Sequence, residues 1–369
     1  MVRLNTAEFR CYRIFDVADE INLERCRTLI KGGGTESTRL SLKREGSEYL
    51  QLSNPPVQVE LGARTLKVQG QPVQVQMVAR LFHHGAISVN VRVPIDPGAS
   101  LESVIPIADE LYDSRPLDAL CLQEVTTLRT SLLSALESPH LWEKNEAYTV
   151  LLVRDIDGKP TAEALLAEPN LARLVVGEVK EQVLSKGETR EVLEHAWSYT
   201  PRDLAVIEWN AAFLYEPNGS EDLVDLLEIA NAQLLELRYY DGVLDAELDR
   251  VYDTIGAKKA GSLLFSPYKD LLRELMLTLI ELSEFIERIE NALKIVGDVY
   301  LARVYEGAVA QLRIRQWTDQ VSRKHRLLQQ TYGLLKGEVD TNRALTLEVM
   351  VVALILFEIV MALAKVTGF

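Results

Sequence analysis

Two adjacent histidines, His83 and His84, are by type the side chains of this sequence best suited to a transition metal. They precede Gly85 at a turn between two runs of strand character, residues 72–82 (PVQVQMVARLF) and 86–95 (AISVNVRVPI). Neighbouring side chains of a regular strand point to opposite faces, so one ion could hardly take both, and no third ligand stands nearby. His140, His195 and His325 are scattered, and neither Gly-x-Ser-x-Gly nor His-Glu-x-x-His occurs. Cys11, Cys26 and Cys121 contain no Cys-x-x-Cys pair, so they encode neither a zinc knuckle nor a disulfide framework and suit a reducing compartment. The run Gly32-Gly33-Gly34-Thr35 lacks the order of a phosphate loop and reads as a flexible turn. No catalytic, metal-ligating or cofactor-binding residue is therefore expected, and the chain reads as a non-enzyme.

Two carboxylates sit in a more telling place. Residues 344–364 (ALTLEVMVVALILFEIVMALA) are apolar except for Thr346, Glu348 and Glu358. As a helix the segment would extend about 31 Å, close to the hydrocarbon thickness of a bilayer. About a dozen Leu, Ile, Phe and Val residues would favour insertion by roughly 5 kcal/mol, and the two Glu side chains would remove most of that gain. Three readings follow: a membrane span, a helix buried in an oligomer or against the chain's own helices, and an ordinary core helix. Arg343, Glu348, Phe357, Glu358 and Lys365 are the residues expected to define this membrane or oligomer segment.

Stepwise along the chain, residues 8–17 read as a strand, and residues 22–30 as a short helix that the glycines end. Residues 49–53, 57–61, 64–68, 72–82 and 86–95 alternate as an antiparallel sheet would. Helices follow over 101–111 and 117–136, then a buried strand over 148–156 and a strand over 202–215. From residue 221 to 336 strand signals vanish. Leucine-rich stripes spaced by three and four (Leu223, Leu226, Leu227, Leu234; Leu271, Leu275, Leu279, Leu282; Val321, Leu327, Leu328, Leu334, Leu335) predict long amphipathic helices of coiled-coil type. Such helices need partners, so a homo-oligomer is expected. The fold class is α+β: a mixed domain with a largely antiparallel sheet (1–218), a long-helix region (219–343) and the hydrophobic helix (344–364).

With 40 Lys and Arg against 54 Asp and Glu, the net charge of −14 repels a phosphate backbone, so nucleic acid is not an expected partner. The one basic cluster is Arg313, Arg315, Arg323, Lys324 and Arg326, which reads best as a solvated helix face. The first twenty residues hold Glu8, Asp16 and Asp19 and no apolar run, unlike a signal peptide, which places the bulk of the chain in the cytoplasm.

The stretch Asn342-Arg343-Ala344-Leu345-Thr346-Leu347-Glu348-Val349, the Ile/Val/Leu run after it, and Phe357-Glu358-Ile359 resemble the C-terminal signature of the "required for meiotic nuclear division" family. Tyr300-Leu301-Ala302-Arg303-Val304 and the hairpin Phe82-His83-His84-Gly85-Ala86-Ile87-Ser88-Val89 resemble its corresponding segments, although the tryptophan that follows its hairpin is replaced around Asn90. The resemblance covers about the last 70 residues and is thin elsewhere. It implies a membrane-associated protein, tethered by its C-terminal helix, without catalytic residues, in a family whose mitochondrial members support translation and organelle organisation. A second likeness, to magnesium channels of the CorA type, lacks the Gly-Met-Asn loop and the second span that such channels need. The expected function is a non-catalytic, membrane-associated scaffold or interaction protein that oligomerises through its C-terminal helices and meets an unknown protein partner. The alternative is a soluble cytoplasmic homo-oligomer with the terminal helix as interface core.

Overall fold

A computed structural model describes residues 2–32, 37–39, 54–179, 184–257, 268–292 and 299–366. In chain order they form β1 (Arg3–Asp16), β2 (Glu20–Ile21), α1 (Leu23–Gly32), β3 (Ser37–Arg39), β4 (Val57–Val68), β5 (Gln71–Leu81), β6 (Ala86–Pro94) and β7 (Ala99–Ser100). Then come α2 (Leu101–Tyr112), α3 (Arg115–Leu132), β8 (Leu136–Glu137), β9 (Asn145–Ile156), α4 (Ala162–Leu166), α5 (Pro169–Val176), α6 (Lys186–Glu194) and β10 (Ala196–Trp197). The chain continues through β11 (Leu204–Ile207), β12 (Ala211–Tyr215), α7 (Asp222–Ala257), α8 (Lys269–Ala292), α9 (Val299–Gln311) and α10 (Ile314–Val366). The fold is α+β. It divides into two compact units, Met1–Tyr239 with Asn291–Trp317, and Tyr240–Glu290 with Thr318–Phe369.

The first unit is organised by a sheet of strand order β10-β11-β12-β9-β1-β6-β5-β4-β3, with β7 also paired to β1. Neighbouring strands are antiparallel except β9 and β12, which run parallel. Alternation along β1 sends Phe9, Cys11 and Phe15 into the apolar core under α1, α2, α3 and α5. Arg10, Tyr12 and Ile14 alternate to the opposite face, which the first part of α7 covers. Because helices lie on both faces, β9 can be apolar on both sides, and Tyr148, Val150, Leu151, Leu152 and Val153 are all buried. Ser100 starts α2 with a reciprocal pair of hydrogen bonds to Ser103. Gly85 makes the β5–β6 turn at φ +96°, where a Cβ would fall 1.7 Å from the Ala18 carbonyl oxygen, so only glycine fits there.

Four expectations change. Residues 57–61 and 64–68 form one strand, β4, bulged at Gly62 rather than broken. Residues 202–215 form a hairpin rather than one strand. There Glu208 and Ala211 close the turn, and Asn210 gives its carbonyl to the Thr149 amide on β9. The helical run from 299 to 335 breaks between α9 and α10 at Arg313, whose φ is +53°. In the predicted stripe, Leu328 and Leu335 are buried, but their neighbours Leu327 and Leu334 point outward. The stretch 49–53 lies outside the described residues.

The second unit packs the distal part of α7, α8 and α10 through three apolar stripes. Leu244, Leu248 and Val251 come from α7, Leu271, Leu275 and Leu282 from α8, and Val321, Leu328, Leu335 and Val339 from α10. Polar pairs flank the stripes. Lys324 Nζ meets Asp241 and Asp245 at 2.7 and 2.6 Å, and Arg250 pairs with Glu274.

Candidate functional site

α10 is a single helix of 53 residues, about 80 Å long at the usual rise. Its buried positions Val321, Leu328 and Leu335 recur every seven residues, and His325 and Val339 are buried four residues after Val321 and Leu335. The same spacing continues through Asn342, Val349 and Leu356, and through Thr346, Ala353 and Val360. Glu358 stands two residues from both Leu356 and Val360, about 200° around the axis and so on the far side of the helix from this seam. Glu348 lies within about 80° of Glu358 on the same wheel.

Every large apolar side chain from Leu345 to Leu363 is exposed, Phe357 by 63%. The helix is the one among the described residues long and apolar enough to cross a membrane, and none of that window is buried. The reading of residues 344–364 as a core helix, or as one covered by the chain's own helices, is therefore overturned. About five turns of exposed Leu, Ile, Val, Met and Phe far exceed the roughly 300–600 Å² of the largest apolar patch on a typical monomer. Arg343, Glu348 and Glu358 are on the exposed surface with them, and the Lys365 side chain lies outside the described residues.

A second feature was invisible in the sequence: a charged layer buried between the sheet and α7. Arg80 on β5 places Nη1 2.6 Å from Asp225 and 2.5 Å from Glu228, which stand three residues apart at the start of α7. Around them on the same sheet face lie Tyr12, Ser88 and Asn90, all buried. Across the sheet Tyr12 pairs in register with Asn90 and with Tyr148. Arg10 bonds Glu8 and reaches Glu221, and Arg238 pairs with Glu146. Two acids share one guanidinium, so burial, partly offset by Arg80, pushes the Asp225 carboxyl up to about 6. Tyr12 Oη, Ser88 Oγ, Asn90 Oδ1 and Glu228 Oε1 find no hydrogen-bond partner among the described residues. The layer holds charge away from water where the start of α7 meets the sheet.

The residues singled out from the sequence separate. His83 turns its Nδ1 to the Ile21 carbonyl and its Nε2 toward Glu20, whereas His84 faces Glu236 at 3.9 Å, so the pair share no centre. His140 bonds Asp16 at 2.5 Å and stacks on Tyr239, and Asp16 raises its pKa against the lowering effect of burial. All three cysteines are buried, and burial lifts the Cys11 and Cys26 thiols to about 11, away from reactive thiolate. Among the described residues, no group of three or more His, Cys, Asp and Glu side chains is placed to hold a metal ion. The basic cluster is divided: Arg313 packs over Trp209 and Lys324 is held by two aspartates, leaving Arg315, Arg323 and Arg326 exposed.

The fold and this surface define an α+β protein with, among the described residues, one apolar helix of membrane-spanning length. The chain belongs to the family described as "Uncharacterized protein MJ0711, N-terminal domain", which it matches over residues 6–221. That match runs from within β1 to the residue before α7. The uncharacterized protein MJ0711 of Methanocaldococcus jannaschii is 30% identical to it over 179 residues, 48% of this chain and 54% of that protein. The chain thus matches about half the length of this curated relative. No solved structure matches it.

Proposed function

We propose that the chain is a non-catalytic, membrane-associated interaction protein, anchored by the C-terminal part of α10 and assembling through its helices. The observation that carries this reading is the unbroken exposure of apolar side chains from Leu345 to Leu363 on a helix long enough to span a bilayer. The resemblance of the same segment to the "required for meiotic nuclear division" family points the same way. On this reading Arg343 sits at the cytoplasmic flank, and Glu348 and Glu358 face another helix instead of lipid, because an intramembrane carboxylate is costly against hydrocarbon.

A second reading, a soluble homo-oligomer with this helix as its interface core, rests on the same exposed surface. Fractionation of the full chain in cells, beside a version ending at Arg343, separates the two. Retention of the full chain in the membrane pellet after a carbonate wash is expected, with loss of that retention on truncation. A full chain that stays soluble, in particles that shrink on truncation, would support the second reading instead.

A further inference from the structure

We propose that a cavity at the carboxyl ends of β9 and β12 binds a small phosphate monoester. β9 and β12 run side by side and parallel, with Tyr215 opposite Val153 at their last rungs. Beyond that point their connections part. β9 turns through Asp157-Gly158 toward α4, whose Ala162 and Leu165 join the apolar core on one face of the sheet. β12 leads instead into α7, whose Asp225 and Glu228 meet Arg80 on the other face. Two adjacent parallel strands whose following helices go to opposite faces leave a crevice at their carboxyl ends, the usual place for a ligand in such sheets.

The crevice has a volume of about 540 Å³, within the range of small-molecule sites. Arg154, Lys159 and Arg202 line it against a single acid, Asp155. This is a concentration of positive charge in a chain whose net charge is −14. The three cations differ in what they already hold. Arg154 acts as a strut: it donates to the Glu216 and Ser220 carbonyls at 3.2 and 2.7 Å and to Glu221 at 2.5 Å, holding the loop that forms one wall. Asp155 accepts a bond from Asn5 at 3.1 Å. Lys159 and Arg202 are exposed, and among the described residues neither makes an ion pair.

Two unpaired cations on one concave surface match the charge of a phosphate monoester, about −1.5 to −2 at neutral pH, better than that of a single carboxylate. Tyr215, Thr200 and Asn218 offer polar contacts, and Pro201 and Pro217 offer apolar walls for the rest of the molecule. This site is separate from the apolar segment of α10, so its test does not depend on membrane association.

The test is titration calorimetry on the full chain in detergent at constant ionic strength, with glycerol 3-phosphate and inorganic phosphate as probes and acetate as the carboxylate comparison. Saturable binding of glycerol 3-phosphate is expected, weakened at least tenfold by Lys159→Ala with Arg202→Ala and unchanged by Arg326→Ala. Both substituted residues are exposed, so an unaltered melting temperature without ligand should accompany the loss. No binding at millimolar glycerol 3-phosphate, or binding indifferent to the double substitution, overturns the proposal. Acetate binding more tightly than either phosphate probe overturns the ligand class. Tight inorganic phosphate with no gain from the glycerol moiety refutes a monoester ligand.

Discussion

Arg80 and Glu228, 148 residues apart in sequence, meet at 2.5 Å beneath α7, and the glutamate is fully buried. A second carboxylate, Asp225, shares the same guanidinium at 2.6 Å. Removing the cation alone would leave two acids in a dry layer. Replacing Arg80 with Met is expected to cost about 3–5 kcal/mol, measured by denaturant unfolding. Replacing all three residues together with apolar ones should recover most of that loss. A small cost for the single change would mean that water already reaches the layer.

The same trio makes stability depend on pH. The Asp225 carboxyl moves from an ordinary 3.8 to about 6, chiefly through burial. The folded state therefore holds this proton more tightly than the unfolded chain. The associated stabilisation is complete below about pH 3.8 and is lost as pH rises through about 6. Unfolding free energies at pH 5 and pH 7.5 should differ less in Asp225→Asn than in the natural chain. The stability change that the substitution removes should amount to roughly 3 kcal/mol at most over the full window. Parallel pH profiles for the two proteins would contradict it.

Two helical glycines should respond in opposite ways to the same substitution. A Cβ on Gly307 of α9 would lie 2.1 Å from the indole of Trp197, whereas one on Gly242 of α7 would meet nothing within 4 Å. Gly242→Ala should stabilise by about 0.5–1 kcal/mol through helix propensity alone. Gly307→Ala should lose about 1–3 kcal/mol to overpacking despite the same gain. Thermal unfolding of the two variants side by side is the measurement, and melting temperatures moving in the same direction would refute it.

For the apolar segment, Glu358→Leu is expected to strengthen retention in carbonate-washed membranes and to weaken self-association, followed by sedimentation in detergent. Removing the carboxylate lowers the cost of facing lipid and takes away the reason for facing another helix. Self-association at the natural level in the variant would break the proposed link between anchor and assembly.

Much of the fold was legible, and the exceptions have physical causes. The strands β1, β5 and β6 show in the alternation of residues such as Phe9, Cys11, Val89 and Val91, and the turn at His83-His84-Gly85 shows in its glycine. The charged layer was not legible: Glu228 sits in a Leu-rich helical repeat where a glutamate ordinarily marks the solvent side, and only Arg80, far away in sequence, makes its burial tolerable. The choice between Leu334 and Leu335 was equally closed, since adjacent leucines fit a 3.6-residue period about equally well. The cavity beside Lys159 and Arg202 depends on which strands are neighbours, and no local pattern carries that. The apolar segment of α10 was plain from composition, but its full exposure required the fold.

The unbroken course of α10 carries a mechanical consequence. With no proline between Val339 and Glu358 and no break in the helix, α10 can act as a keyed shaft: the packing of Val321, Leu328 and Leu335 sets its rotation, and that rotation is passed on, turn after turn, to the far end. Which way the Glu358 carboxylate looks is thus dictated inside a folded bundle more than two dozen ångströms away along the axis. One residue inserted between them would leave both ends intact and put them about 100° out of phase.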